Sequence, residues 1–389
     1  MFWLSFEKPI SSPYVMYSCV DDCFMIRGYE NGTSVYSNEF GKTFTREEFE
    51  QKLPLLNFRQ LMISKTLPDT IKGVEMDPHL VNSAGSFYRY KPEDKNSPKP
   101  GLYPMIESKS GRAKLEMPKD FFRIASRMEF IIADGNKLDE QKSVLFTEAL
   151  QAKGFKFPAK MIEGLPTTRK SCDEGYFVVD NADQLFQVKM VQGQPYVKWI
   201  DIPKGLTFKY ISCVDFRNKL YYCYLIGHDN SIFIITQDDY ELERLPIEGF
   251  NSENQELRIS SDLFNYNVIM LGENFTKVVA LDDNRRKVAE YNQTWTKRAL
   301  RPEGKAFSFL FPAEINLTDK YNSFINFYFH PTKGFNWLIL HIILLISQFI
   351  IIRRRKANPK NHVVDFGIVL ITGLFGFLAV NIFPNKFFD

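Results

Sequence analysis

Two polar side chains stand inside an otherwise apolar run near the C-terminus. His341 and Gln348 are seven residues apart, so they share one face if Phe335–Ile352 is helical. In a second apolar run, Thr372 and Gly376 make a stripe of small residues with Ala379 beside it. In lipid such groups hydrogen-bond across helices and let backbones approach closely. Two readings stay open: the residues join the two helices to each other, or they face another membrane subunit. Other candidates are weaker. Asp238-Asp239 and Asp282-Asp283 have the composition of an acid–base pair, and His228 lies beside Asp229. The acidic pairs recur at matching places in a repeat, which favours turn chemistry, since Asp caps its own backbone. Gly41-Lys42-Thr43 imitates the end of a phosphate-binding loop, but the earlier glycine falls on Tyr36. There is no Gly-x-Ser-x-Gly, His-Glu-x-x-His, Cys-x-x-Cys or calcium-loop spacing. Catalytic residues, cofactors and metals are therefore assigned to no position, and a non-enzymatic protein is expected.

The elements that must hold the membrane residues are two uncharged runs, Phe335–Ile352 and Phe366–Phe383, of 18 residues each. As helices each would reach ~27 Å, close to the hydrocarbon thickness of a bilayer. Phe335 and Trp337 begin the first run and Phe387 and Phe388 follow the second, as in an aromatic belt. The loop 353–365 between them holds Arg353, Arg354, Arg355, Lys356 and Lys360 against Asp365. Lys and Arg collect on the cytoplasmic side, so the loop is expected inside and both termini outside. That orientation requires an export signal or a helix ahead of the body. Met1–Phe6 resembles the outer end of such a helix, and reads equally well as an apolar strand. Net charge is +3, but residues 353–389 carry six basic and two acidic groups, leaving the rest slightly negative. The body thus lacks the basic footprint of a nucleic-acid binder; the basic loop can attract anionic lipid headgroups, but ordinary topology already accounts for it.

Strand patterns dominate the body. Segments beginning at Asp183, Asn230 and Asn274 each read as strand, turn and strand, with second turns at Gln192-Gly193, Asp238-Asp239 and Asp282-Asp283. A fourth unit is expected from Asp319, with Phe324–Phe329 as its strand. Near the start, Cys23–Arg27 and Ser34–Ser37 flank the hairpin signal Asn31-Gly32. Such repeats fit propeller blades, and also an ordinary meander or sandwich. Two helical insertions interrupt them. Thr45-Arg-Glu-Glu48 is a capping box opening a helix with Phe49, Leu53, Leu56 and Leu61 inward, which Pro54 must bend or divide. Asp139–Lys153 is amphipathic, with Val144, Leu145, Ala149 and Leu150 inward and Gly154 as its stop. A turn at Ser108–Gly111 is expected to lead into a strand at Ala113–Met117. Opposed strands would set Cys213 against Cys223 around Arg217-Asn218-Lys219, and Cys19 against Cys23; the alternative is that all five cysteines are small core side chains.

The expected architecture is mainly β. A propeller-like or meander body over residues 1–331, with helical insertions near 45–64 and 139–154, precedes a two-helix transmembrane hairpin over 335–383. The blocks Leu53–Leu61 (LPLLNFRQL), Phe87–Pro92 (FYRYKP), Leu102–Arg112 (LYPMIESKSGR), Pro166–Lys170 (PTTRK) and Asp173–Phe177 (DEGYF) resemble those of a bacterial, membrane-anchored family catalogued only as domain of unknown function 4857. That resemblance implies no catalytic residues, and it implies the company of ATP-driven (ABC-type) transport components. The expected function is an accessory or binding protein of the inner membrane, with lipid and transporter subunits as partners and its bulk outside the cytoplasm. The rivals are an extracytoplasmic glycan hydrolase of propeller type, with carboxylates gathered in one cleft, and a purely structural anchor.

Overall fold

The computed structural model describes residue 5 and residues 12–30, 32–214, 220–237 and 239–383. The expectations on Met1–Phe6, Arg217-Asn218-Lys219, Asn31, Asp238, Phe387 and Phe388 lie wholly or almost wholly outside these. The chain forms two compact units. One comprises residues 13–271 and 277–292; the other comprises residues 1–12, 272–276 and 293–389.

The larger unit is mainly β, built from antiparallel sheets whose strands follow chain order. The first sheet holds Tyr14–Tyr17, Phe24–Glu30, Thr33–Asn38 and Thr43–Phe44. The second holds Tyr103–Pro104, Asp120–Ile124, Met128–Ile132 and Lys137–Asp139. The third holds Met161–Gly164, Tyr176–Val179, Leu185–Val191 and Gln194–Ile200. The fourth holds Phe208–Cys213, Tyr221–Gly227, Ile232–Thr236 and Leu242–Arg244. The fifth holds Glu256–Ser261, Tyr266–Leu271, Phe275–Leu281 and Lys287–Thr294, with the earlier strand Ser86–Tyr90 added beside Glu256–Ser261. The repeats starting near 183, 230 and 274 are thus the last two strands of the third, fourth and fifth sheets. Their turns obey one chemistry. Asp183 and Asn230 adopt left-handed backbone, Asp180 Oδ1 accepts from the Ala182 and Gln184 amides, and Asp282 Oδ1 accepts from the Arg286 amide.

Neighbouring sheets bury apolar faces against one another. Phe24 and Met25 of the first meet Val278 and Ala280 of the fifth. Phe122 and Phe130 of the second meet Val178, Phe186 and Val188 of the third. Phe177 and Leu185 of the third meet Ile211, Cys223 and Ile235 of the fourth. Tyr88 of the fifth stacks on Tyr224 of the fourth at 3.9 Å between centroids. Among the described residues no strand pairing closes these sheets into a barrel. Cys213 does stand opposite Cys223, yet the two form no disulfide, and burial pushes the Cys19 thiol up to about 12.

The Thr45–Glu48 capping box forms with both bonds and opens helix α1, Arg46–Lys52. Pro54 divides the segment, so a second helix, α2, runs Phe58–Ser64. Phe49, Leu53 and Leu61 are buried as expected, whereas Leu56, in the turn between the helices, is exposed. Helix α3 spans Pro78–Ala84 and α4 spans Glu140–Ala152 with Asp139 as its cap. The buried face of α4 is Ser143, Phe146 and Leu150, with Ala149 packed against the same core, so Ala149 and Leu150 face inward as expected while Val144 and Leu145 are exposed. Ala113–Met117 forms no strand, because Ser108 bonds instead to Met190 O across to the third sheet.

In the smaller unit, α5 spans Pro302–Leu310 and a hairpin pairs Ala313–Asn316 with Tyr328–Pro331. The unit expected from Asp319 is this hairpin's connection, and Phe324–Phe327 lies outside its strands. Helix α6 then runs Asn336–Arg354. The second apolar run is not one helix. It breaks at Gly373 (φ 59°, ψ −125°) into α7, Val363–Thr372, and α8, Leu374–Ile382.

Candidate functional site

His341 is fully buried and Gln348 is 2% exposed, although both sit on a helix long and apolar enough to cross a membrane. His341 Nδ1 lies 2.8 Å from Trp337 O; a carbonyl only accepts, so Nδ1 carries the hydrogen. The ring presses on Gly373, where a Cβ would sit 2.6 Å from Cε1 and Nε2. The Nε2 atom has no hydrogen-bond partner among the described residues. Two turns along α6, Gln348 Oε1 accepts from Asn381 Nδ2 at 2.6 Å.

These two contacts fix a direction. From Gly373 to Asn381 the chain advances along α8 as it does from His341 to Gln348 along α6, so the two helices run parallel. Helix α7 runs against both. A Cβ on Gly376 would meet Thr372 Oγ1 and Ile368 O of α7, so glycine here permits the return of α8 onto α7. The expected two-span hairpin is therefore replaced by one long helix and a helical hairpin with its tip at Gly373. Neither α7 nor α8 exceeds about 15 Å, half a hydrocarbon layer. Among the described helices, only Asn336–Arg354 has the length and apolarity to cross a membrane. Thr372 bonds its own helix at Ile368 O and is exposed, and Ala379 is exposed too. The basic residues Arg353, Arg354, Arg355 and Lys356 are all exposed at the C-terminal end of α6, where cations complement the helix dipole. Sequence reasoning missed Asn381, although it is the lone amide in its run. It also placed Asp365 in the loop; the structure buries it in the first turn of α7, with Oδ2 2.7 Å from His362 Nδ1.

In the larger unit the blocks Leu102–Arg112, Pro166–Lys170 and Asp173–Phe177 converge. Asp173 pairs with Lys170 at 2.6 Å, both side chains nearly inaccessible. Asp173 Oδ2 also accepts from Ser108 Oγ and the Gly175 amide. Glu107 accepts from the Gln192 and Gly193 amides, and Tyr176 OH donates to Pro104 O. Gly175 has φ 70°, and a Cβ there would lie 2.3 Å from Val188 O and 2.4 Å from Lys189 Cβ. Gly175→Ala is accordingly expected to lose about 1–3 kcal/mol from overpacking, with left-handed strain added. The urea midpoint checks this, and an unchanged midpoint would remove the packing argument.

Several clefts open on this unit. One of about 690 Å³ is lined by Leu55, Leu56, Arg59, Gln60, His79 and Asn82, among others, so the Leu53–Leu61 block forms one wall. Another, about 420 Å³, brings Lys95, Lys99, Arg123, Lys160 and Lys209 around Tyr103 and Tyr210. Its lining carboxylate is Glu163, held 2.6 Å from Lys99, and burial pushes the Glu163 carboxyl above its ordinary value. Exposed Glu253 pairs with Lys95 and Lys209 at the rim. Asp229 caps the Ser231 amide and hydroxyl, so its carboxylate is engaged in turn geometry beside His228.

A family model described as "Domain of unknown function (DUF4857)" matches residues 14–281, more than half of the chain. No curated protein matches. A solved chain described as "Dihydro-heme d1 dehydrogenase NirN in complex with DHE" aligns at 9% identity with a TM-score of 0.23. The match covers 58% of this chain and 56% of that one, so this chain spans little more than half of that protein's length. At that TM-score nothing about this chain follows from it.

Proposed function

The chain belongs to the family described as Domain of unknown function (DUF4857), and on that premise we propose that it is a membrane-anchored, non-enzymatic binding subunit of a larger membrane complex. One observation carries the reading: α6 is inside-out by aqueous standards. Its polar His341 and Gln348 are buried, while Ile339, Ile342, Ile343, Ile346, Phe349 and Ile350 are exposed. In water such a helix exposes a large apolar surface without return; in lipid the apolar side is solvated and the polar groups are paired inward. The α7–α8 hairpin suits the same setting as a re-entrant element, since broken helices are tolerated at membrane depth when packed on protein. The exposed Arg353–Lys356 cluster orients its end of α6 toward the cytoplasm, with the β-rich unit on the far side. The re-entrant turn then returns residue 382 to the cytoplasmic face. The open run of packed antiparallel sheets supports a propeller-like body, which offers broad surfaces and clefts for a partner.

The hydrolase reading calls for two carboxylates ~5–10 Å apart across a sugar site. The 420 Å³ cleft offers cations around Glu163 instead, and that favours a binder. The test is affinity purification of the full chain from its own membranes in mild detergent. Recovery of a nucleotide-binding ATPase and a permease, lost when residues 335–383 are replaced by an unrelated membrane hairpin, is expected; recovery of the protein alone would discard the subunit reading. Topology is checked separately. A phosphatase reporter after Thr318 should be active, and reporters within 353–365 or after Ile382 should be inactive.

A further inference from the structure

The hairpin of the smaller unit carries its apolar side chains outward. Ile315, Leu317, Phe324, Ile325, Phe327 and Phe329 are all exposed, Ile325 by 82% and Phe327 by 78%. Several polar groups of the segment bond to one another instead. Tyr328 OH bonds Asn322 Oδ1 and Phe324 O, Asn322 Nδ2 donates to Asp319 Oδ2, and Asn316 Nδ2 donates to Glu314 Oε1. A hairpin made for water would show the opposite polarity.

Its position is fixed. The Thr332 amide donates to Pro312 O and its hydroxyl to Phe311 O, which ties the base of the hairpin to the end of α5. Phe311 stacks on Phe375 at the start of α8, 5.6 Å between centroids. Pro331, the last hairpin residue, is separated from exposed Phe335 and the start of α6 by 332–334 alone. Residues 332–334 span roughly 10 Å at most, so the base of the hairpin lies close to the level where α6 enters the bilayer.

We propose that the hairpin Ala313–Pro331 is a lipid-inserting element that seats its Phe and Ile side chains at the outer headgroup–acyl boundary beside α6. This rests on α6 crossing a membrane. Lipid is the occupant because the exposed apolar residues end at Phe329, only a few positions before the exposed Phe335 that opens α6, and are rich in phenylalanine, which suits the apolar side of an interfacial element. Charge plays little part. Glu314 and Asp319 balance Lys320 and Lys333, so insertion is independent of anionic headgroups.

The full chain is reconstituted in nanodiscs of phosphatidylcholine, with and without phosphatidylglycerol. Phe327, Ile350 or Tyr29 is replaced, one at a time, by the photoreactive p-benzoylphenylalanine. Illumination is expected to add the mass of one phospholipid at positions 327 and 350, in both kinds of disc, and nothing at 29. A lipid adduct at 350 without one at 327 would overturn the hairpin proposal alone. An adduct of position 327 to polypeptide would replace lipid by a protein partner. Absence of lipid adducts at both 327 and 350 would overturn the membrane reading with it.

Discussion

Asp173→Ala is expected to lower the stability of the larger unit by about 3–5 kcal/mol, the range for removing one member of a buried ion pair. The side chains of Lys170 and Asp173 are only 5% and 3% exposed, so the pair has little water to fall back on. Alanine leaves the Lys170 ammonium without its carboxylate. It also strands the Ser108 hydroxyl and the Gly175 amide, which both donate to Oδ2. These groups join the loop 102–112 to the turn 173–175, so the loss spreads to two sheets. At ~2–4 °C per kcal/mol for a unit of this size, thermal unfolding of the full chain in detergent should fall by roughly 10 °C. Asp173→Asn keeps an acceptor but not the charge, and should fall between. The double variant Lys170→Met/Asp173→Leu should recover much of the deficit, because replacing both charges removes the desolvation cost as well. A shift of a degree or two in Asp173→Ala would show that the pair contributes little to holding these blocks together.

The same locus marks what a sequence can convey. The repeat of strand and turn near 183, 230 and 274 is legible because turn residues and alternating apolar positions are local signals, and it maps onto the outer hairpins of three successive sheets. The capping box at Thr45 is legible for the same reason. The Asp173–Lys170–Ser108 contact is not, since its partners lie 65 positions apart between Ser108 and Asp173 and meet only when two sheets pack. The face of α4 slipped because Phe146 was not weighed. Val144 and Leu145 are apolar, yet the position that faces the core is decided by where Met128–Ile132 lies, with Phe130 against Phe146 at 4.8 Å. In the C-terminal region, apolarity and length predict two spans, and the first is seen as a helix of that kind. What composition hides is the fold-back at Gly373. An isolated glycine in an apolar run is tolerated in a straight membrane helix as readily as in a break, and only its contact with His341 and the Asn381–Gln348 bond reveal the return. The cationic cleft was invisible for another reason: Lys95, Arg123, Lys160 and Lys209 come from separate segments with no shared motif.

The second large effect concerns α6 and separates lipid from water as its solvent. Ile343 and Ile346 lie one turn apart near the middle of the helix and are 52% and 55% exposed. If that surface faces hydrocarbon, a lysine at each costs about 2.5–3.5 kcal/mol for insertion, reduced where the long stem lets the ammonium reach the interface. Ile343→Lys/Ile346→Lys should then lose most of its carbonate-resistant membrane fraction. At ~1.4 kcal/mol per factor of ten, even half of the combined cost shifts the partition roughly a hundredfold. If the surface faces water, the same variant is neutral to within ~0.5 kcal/mol and gains solubility. The inward pair supplies the contrast. Gln348→Leu breaks the bond to Asn381, whose Nδ2 keeps only its bond to Phe377 O, but makes α6 more apolar, so membrane retention should hold while the α6–α8 contact loosens by about 0.6–2 kcal/mol. Opposite responses to outward lysines and an inward leucine are what an inside-out helix requires. A water-facing helix would tolerate the lysines, and its solubility would suffer from the added leucine if anything. Retention of the double lysine variant at the parental level would therefore end the membrane reading.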